Sequence, residues 1–170
     1  MNGICVGESK LDDAQDCESA DECETGSCGI LFYDGFAPRT CCDSGSTVNI
    51  ARPDSSVLLD TYCAGLASFQ MCGDHDMCMD GACGRLNYTS GDTSVCCPSG
   101  HFANAIRPDR TFLEADFCTG QPESALCGND DMCADFGSGA ACARATYTSS
   151  ADYVCCSGGR KVTLLRPGNG

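Results

Sequence analysis

The sequence predicts a small, disulfide-rich, mainly β protein made of three tandem modules. Three observations predict it. Eighteen of the 170 residues are cysteine, above the roughly 8–10% that marks a disulfide scaffold in a short secreted chain. These cysteines fall into three blocks of six, closed by the adjacent pairs Cys41-Cys42, Cys96-Cys97 and Cys155-Cys156. Short β-branched or aromatic runs alternate with Gly, Asp and Pro, the pattern of strands punctuated by turns.

The first block is Cys5, Cys17, Cys23, Cys28, Cys41 and Cys42; the second is Cys63, Cys72, Cys78, Cys83, Cys96 and Cys97; the third is Cys118, Cys127, Cys133, Cys142, Cys155 and Cys156. From second cysteine to closing pair, blocks one and two are related by one constant offset, so that Cys17 stands to Cys72 as Cys42 stands to Cys97. Block three keeps that offset to Cys133 and then carries four extra residues within 134–141. Other positions repeat as well: Gly7, Gly65 and Gly120; Asp21, Asp76 and Asp131; Tyr33, Tyr88 and Tyr147; Gly45, Gly100 and Gly159; Arg52-Pro53, Arg107-Pro108 and Arg166-Pro167. Repeats at a fixed period are copies of one structural unit. Modules are accordingly placed at residues 1–54, 55–109 and 110–170.

Within a module, the run after the fourth cysteine (Leu31-Phe32-Tyr33, Leu86-Asn87-Tyr88, Ala145-Thr146-Tyr147) meets turn residues such as Asp34-Gly35 or Ser90-Gly91-Asp92. It then resumes into the closing pair, which is a hairpin signature. A third extended run follows at 47–51, 102–106 and 162–165, each stopped by Arg-Pro, because proline lacks the donor a ladder needs. The expectation is a three-stranded antiparallel sheet with a loop-rich acidic half stapled to it. Helix is expected to be minor, as a turn near Ser56–Asp60 or Thr111–Ala115.

About 35 residues between first and last cysteine cannot bury a core large enough to offset the entropy of ordering, and domains this small need covalent or metal help. Adjacent cysteines do not bond to each other without severe strain. Since side chains alternate along a strand, each closing pair is expected to reach two partners on opposite faces. Nine disulfides would use every cysteine. Fifteen pairings per module are possible, and I–IV, II–V, III–VI within each block is the pattern expected.

The cysteines point to an oxidising, extracellular compartment. No apolar run approaches the roughly 18–20 residues of a membrane span. Met1 leads into Asn2-Gly3-Ile4-Cys5 with neither a basic start nor an apolar stretch, so a secretory signal is expected to have been removed or left out of the numbering. The net charge of −14 opposes binding to nucleic acid and to anionic membranes. That charge is graded along the chain, with net −8 over 1–54, −4 over 55–109 and −2 over 110–170.

Other chemistry finds less support in the residues. Zinc sites favour short, paired cysteine spacings; here no C-x-x-C occurs, and the two histidines, His75 and His101, do not recur between modules. No nucleophile stands in a pattern with a repeated base, so no enzyme is expected. Asp21, Asp76 and Asp131, with their acidic neighbours, offer oxygen ligands for calcium, or else cap a turn. Asn87-Tyr88-Thr89 is a glycosylation sequon. The repeated Tyr33, Tyr88 and Tyr147 either present a flat carbohydrate platform or cover the disulfides of a thin core.

The segment Cys17-Glu18-Ser19-Ala20-Asp21-Glu22-Cys23, continued by Glu24-Thr25-Gly26-Ser27-Cys28, resembles the acidic cysteine-rich repeats of algal wall and adhesive glycoproteins such as diatom frustulins. The resemblance implies an extracellular wall, coat or fibre component, calcium-stabilised and glycosylated. It covers only the span from second to fourth cysteine of a module, as in Cys17 to Cys28.

The expectation is an extracellular structural protein whose subunits assemble with themselves head to tail. Both internal junctions place 20 residues between a closing pair and the next first cysteine, while 14 residues follow Cys156 and four precede Cys5. A contact between chains would nearly reproduce the internal spacing, bringing Arg160-Lys161 towards the acidic amino end. The same termini would also arise from a segment of a longer array. The rival expectation is a secreted binding module, lectin-like or inhibitor-like, presenting its hairpin loops to glycans or proteases.

Overall fold

The computed structural model describes residues 10–33, 37–53, 55–88, 93–108, 113–134, 139, 141–144 and 152–157. The fold is mainly β, as expected, and the chain divides into two compact units, residues 1–66 and 67–170.

In the first unit the strands are β1 (Cys28–Ile30), β2 (Arg39–Cys41), β3 (Thr47–Arg52) and β4 (Ser55–Cys63). The expected hairpin is present: β1 and β2 pair antiparallel with Cys28 opposite Cys41. The third run, β3, does not join that hairpin directly. β4 lies between them, parallel to β1 at Ile30–Tyr62 and antiparallel to β3 from Thr47–Cys63 to Arg52–Ser55. The sheet order is therefore β2-β1-β4-β3, four strands where three were expected.

The fourth strand comes from the residues expected to form a helical turn. Two causes override that expectation. Thr61 and Tyr62 suit a pleated, half-buried surface better than a helix. Arg52-Pro53 marks the reversal of a tight β3–β4 hairpin, because Pro53 cannot donate to a continued ladder, and β4 then runs back along β3. β4 belongs by repeat count to residues 55–109, yet it lies in the unit that ends at residue 66.

The second unit repeats this layout. Its strands are β5 (Cys83–Arg85), β6 (Ser94–Cys96), β7 (Phe102–Ile106), β8 (Glu114–Cys118), β9 (Ala141–Arg144) and β10 (Tyr153–Cys156). Four of them form a sheet in the order β6-β5-β8-β7, again with one parallel pairing, Arg85–Phe117. Arg107-Pro108 marks the same reversal, closed by the Arg107 N–H donating to the Leu113 carbonyl at 2.8 Å. Glu114 and Ala115, within the second stretch expected to turn helically, are strand residues; 111 and 112 lie outside the described residues. β9 and β10 form a two-stranded sheet with Cys142 opposite Cys155. The hairpin turns at 34–36, 89–92 and 145–151, and the run at 162–165, lie outside the described residues.

Helix is limited to three 3-10 turns among the described residues, Ala20–Glu22, His75–Met77 and Asp130–Met132. Asp21, Asp76 and Asp131 sit inside these turns rather than capping them. The caps lie two residues earlier: the Asp74 side chain accepts from the Asp76 N–H, and that of Asn129 accepts from the Met132 N–H. The repeat extends to backbone conformation, for Ala14, Phe69 and Ser124, which occupy the same position in successive repeats, share a positive φ of 62–70°.

The cores are thin and sulfur-rich. Cys17, Cys23, Cys28 and Cys41 cluster in the first unit with Leu11 against them. In the second, Cys127, Cys133, Cys142 and Cys155 pack with Phe117, Met132, Ala103 and Ala105. Among the described residues, Tyr62 and Phe117 are the two largest fully buried side chains, and both arrive on the inserted strand.

Candidate functional site

The feature that organises each four-stranded sheet is the junction at which one repeat receives a strand and a cysteine from the next. Eight disulfides join the described cysteines. Within a block, second pairs with fourth (Cys17–Cys28, Cys72–Cys83, Cys127–Cys142) and third with fifth (Cys23–Cys41, Cys78–Cys96, Cys133–Cys155). The sixth crosses the repeat boundary, as Cys42–Cys63 and Cys97–Cys118. The expected I–IV, II–V, III–VI pairing is thus overturned. Its physical error lies in treating each block as closed: fourth and fifth cysteines stand opposite each other on the hairpin and take partners from the acidic loop, while the sixth, on the following residue, faces the incoming strand.

The four extra residues of block three fall inside both of its disulfide loops. Sequence separations rise from 11 and 18 in the first two blocks to 15 and 22. The expected ninth disulfide does not form among the described residues, for Cys156 carries a free thiol, half-buried. Cys5 and Tyr147 lie outside the described residues.

Backbone and side chains both prepare the junction. A Cβ placed on Gly29 would stand 2.9 Å from the Cys63 nitrogen and 3.0 Å from the Tyr62 carbonyl carbon; on Gly84 it would stand 3.1 Å from the equivalent atoms of Cys118 and Phe117. Glycine at this position lets the incoming backbone approach closely. The repeated tyrosines close over the strand once it is in place. Tyr33 packs on Tyr62 with ring centroids 5.4 Å apart and donates to the Ala51 carbonyl at 2.9 Å. Tyr88 packs on Phe117 at 5.0 Å and donates to the Ile106 carbonyl at 2.6 Å. Each tyrosine therefore covers the inserted strand and ties down the strand beyond it.

In the first unit an ion pair adds to the junction, Arg39 on β2 meeting Asp60 on β4 at 2.7 Å. Partial burial pushes the Asp60 carboxyl up, but the Thr61 N–H, the Arg39 hydrogen bond and the charges of Arg39 and Arg52 outweigh it and hold the group below its ordinary value. Its contribution is present at neutral pH and is lost as pH falls through the carboxylate range. Because Arg39 is half exposed, that contribution is below about 1 kcal/mol.

The structural role of two residues weighed in the sequence as metal ligands was not foreseen. His75 and Asp130 occupy equivalent positions in successive repeats, and each accepts the N–H of its block's fourth cysteine: Cys83 to His75 Nδ1 at 2.9 Å, Cys142 to Asp130 Oδ1 at 2.7 Å. The shared role was hidden because the residue types differ, and only the common offset could have signalled it. His75 also stacks on Phe102 at 4.0 Å and places Nε2 3.4 Å from Asp116. It lines a shallow pocket of about 290 Å³ with Asp74, Arg85 and Asp116.

The calcium candidates Asp21, Asp76 and Asp131 are exposed. Their neighbours Asp74 and Asp130 spend carboxylate oxygens on backbone N–H groups. The buried cysteine trios, such as Cys17, Cys23 and Cys41, are committed to disulfides. Asn87 is exposed, next to the half-buried Tyr88. No helix among the described residues is long and apolar enough to cross a membrane. Compared with models of known families, with curated proteins and with solved structures, the chain has no match.

Proposed function

We propose that this chain is an extracellular structural protein, a subunit of a fibre, coat or wall that grows head to tail. The observation that carries this reading is the handover at the junctions: the first two repeats complete their sheets with a strand and a cysteine belonging by sequence to the next. A unit that gives to one neighbour and receives from the other is polar, and a polar contact that does not close on itself propagates. Eight disulfides among units this small fit an oxidising, extracellular setting. The acidic surface carries the exposed sequon at Asn87 as a glycan site and Asp21, Asp76 and Asp131 as weak calcium contacts. Negative-stain electron microscopy and light scattering of the secreted protein test the reading. Elongated particles whose mass rises with protein concentration are expected; a single monomeric species at all concentrations and ionic strengths would contradict it.

A further inference from the structure

We infer that the pocket beside His75 binds a neutral pyranose unit of a glycan. The site lies wholly within the second unit and does not depend on head-to-tail assembly.

The repeat itself shows why the pocket exists. In the first unit Arg39 and Asp60 meet at 2.7 Å. The equivalent positions of the second unit hold Ser94 and Ala115, and both of these small residues line the pocket. It therefore opens at the positions that the first unit fills with an ion pair. The other walls depart from the repeat as well. Asp74, His75, Arg85 and Asp116 line the pocket, where the first repeat has Ser19, Ala20, Ile30 and Thr61. The first unit builds the same four-stranded order without them, so the shared fold does not require this polar cluster.

Hydrogen bonding fixes what the walls offer. A backbone N–H can only donate, so His75 Nδ1, which accepts that of Cys83 at 2.9 Å, carries no proton and the ring presents an Nε2–H. That group stands 3.4 Å from Asp116 Oδ2, beyond the 2.7–3.2 Å of an ordinary N–H to O bond, and is available to a ligand oxygen. Both carboxylates are held in place while keeping lone pairs: Asp116 Oδ1 accepts from Asn104 Nδ2 at 3.1 Å, and Asp74 Oδ1 accepts from the Asp76 N–H at 3.0 Å. Ser94 adds a hydroxyl and Arg85 a guanidinium. Donors and acceptors thus surround one small space, and a sugar hydroxyl, which both donates and accepts, matches such a wall.

Other ligand classes fit less well. A metal ion needs a lone pair, and a protonated Nε2 has none to give. An anion would meet two carboxylates against one guanidinium. The volume of about 290 Å³ is at the small end of ligand pockets, which span about 300–1,000 Å³, and suits one ring rather than a longer molecule. Phe102, 42% exposed, stacks on His75 at 4.0 Å. Its flat apolar face lies next to the pocket and suits the C–H side of a pyranose.

Amide NMR of the isotope-labelled full-length chain, titrated with methyl glycosides of glucose, mannose, galactose and N-acetylglucosamine, tests the inference. At least one glycoside is expected to shift the Gly73, His75, Cys83 and Ala115 amides saturably, with the millimolar affinity of so small a ligand. Fragments of a neutral polysaccharide and a released neutral N-glycan, titrated in parallel, show which source presents the unit. Asp116→Asn is expected to weaken binding about tenfold or more, the loss for a hydrogen bond to a charged group. Ser94→Arg combined with Ala115→Asp rebuilds the ion pair of the first unit inside the pocket and is expected to abolish the shifts while leaving the amide pattern of the rest of the fold. No saturable shift with any of the four glycosides at roughly 100 mM, far above a millimolar Kd, would overturn the inference. Binding that survives in the filled double variant would overturn it as well, as would a stronger response of the same amides to calcium, zinc or N-acetylarginine amide. Should the double variant fail to fold, Asp74→Asn and Asp116→Asn, which keep side-chain shape, carry the test, and unchanged affinity in both contradicts the site.

Discussion

Replacing Cys97 and Cys118 together by alanine will destabilise the unit spanning 67–170 by about 3 kcal/mol or more. The disulfide closes a loop of sequence separation 21, and releasing a loop of that size restores about 3 kcal/mol of conformational freedom to the unfolded chain. A further loss comes from the native side. Both positions are at most 2% exposed, so truncation leaves space in a core too thin to close over it. β8, which delivers the fully buried Phe117 to β5, keeps only its single parallel residue pair on that side. Removing Cys72 and Cys83, whose loop separation is 11, releases nearly as much chain entropy but leaves β8 attached. Urea unfolding of both double variants without reductant should therefore show the larger drop in midpoint for Cys97/Cys118. Cys72 and Cys83 are buried as well, so equal drops would mean that anchoring β8 adds nothing beyond loop closure and core filling.

Gly29→Ala will cost about 1–3 kcal/mol, against the usual gain of a residue that stiffens the unfolded chain. The new Cβ would lie 2.9 Å from the Cys63 nitrogen and 3.2 Å from the Cys42 sulfur, and neither is the free end of a flexible side chain. β4 must move outward, taking with it the Tyr62 ring on which Tyr33 packs. The reverse change at the equivalent position, Ala143→Gly, should alter the stability of the single chain by less than about 1 kcal/mol, since among the described residues no strand lies beside β9 on that side. Thermal unfolding of the two variants beside the parent chain measures the contrast. A Gly29→Ala chain as stable as the parent would show that the close approach of β4 is dispensable.

The repeat, the hairpins and the mainly β class were legible because cysteine spacing and turn residues are local signals. Arg-Pro likewise marked a true strand end, and the paired strands around Cys28 and Cys41, Cys83 and Cys96, and Cys142 and Cys155 could be placed from alternation alone. What could not be read was where the third run turned. Ser55–Cys63 carries two exposed leucines, Leu58 and Leu59, and a mixed pattern that periodicity does not resolve; its identity as a strand is set by pairing with β3 and β1, which is tertiary information. The disulfide error followed from that single omission. Once the chain is taken to run outward after Arg52-Pro53, Cys63 belongs only to its own block. Once it folds back, Cys63 lies beside Cys42. The node at the first two closing pairs was legible from the alternation of adjacent side chains, but the destination of its second arm was not; at the third pair Cys155 is bonded and Cys156 carries a free thiol. The role of the repeated tyrosines depended on the same strand, for without Tyr62 and Phe117 arriving on it, Tyr33 and Tyr88 have no ring to cover.

Each of the first two repeats is completed by its successor, and a non-reducing peptide map measures this most directly. Free thiols are alkylated at low pH to prevent exchange, the chain is cleaved between cysteines, and linked peptides are identified by mass before and after reduction. The map is predicted to contain Cys42 linked to Cys63 and Cys97 linked to Cys118, each crossing from one block into the next. Linkage of Cys42 to a cysteine of residues 5–28, or of Cys97 to one of residues 63–83, would show closed blocks and contradict the account.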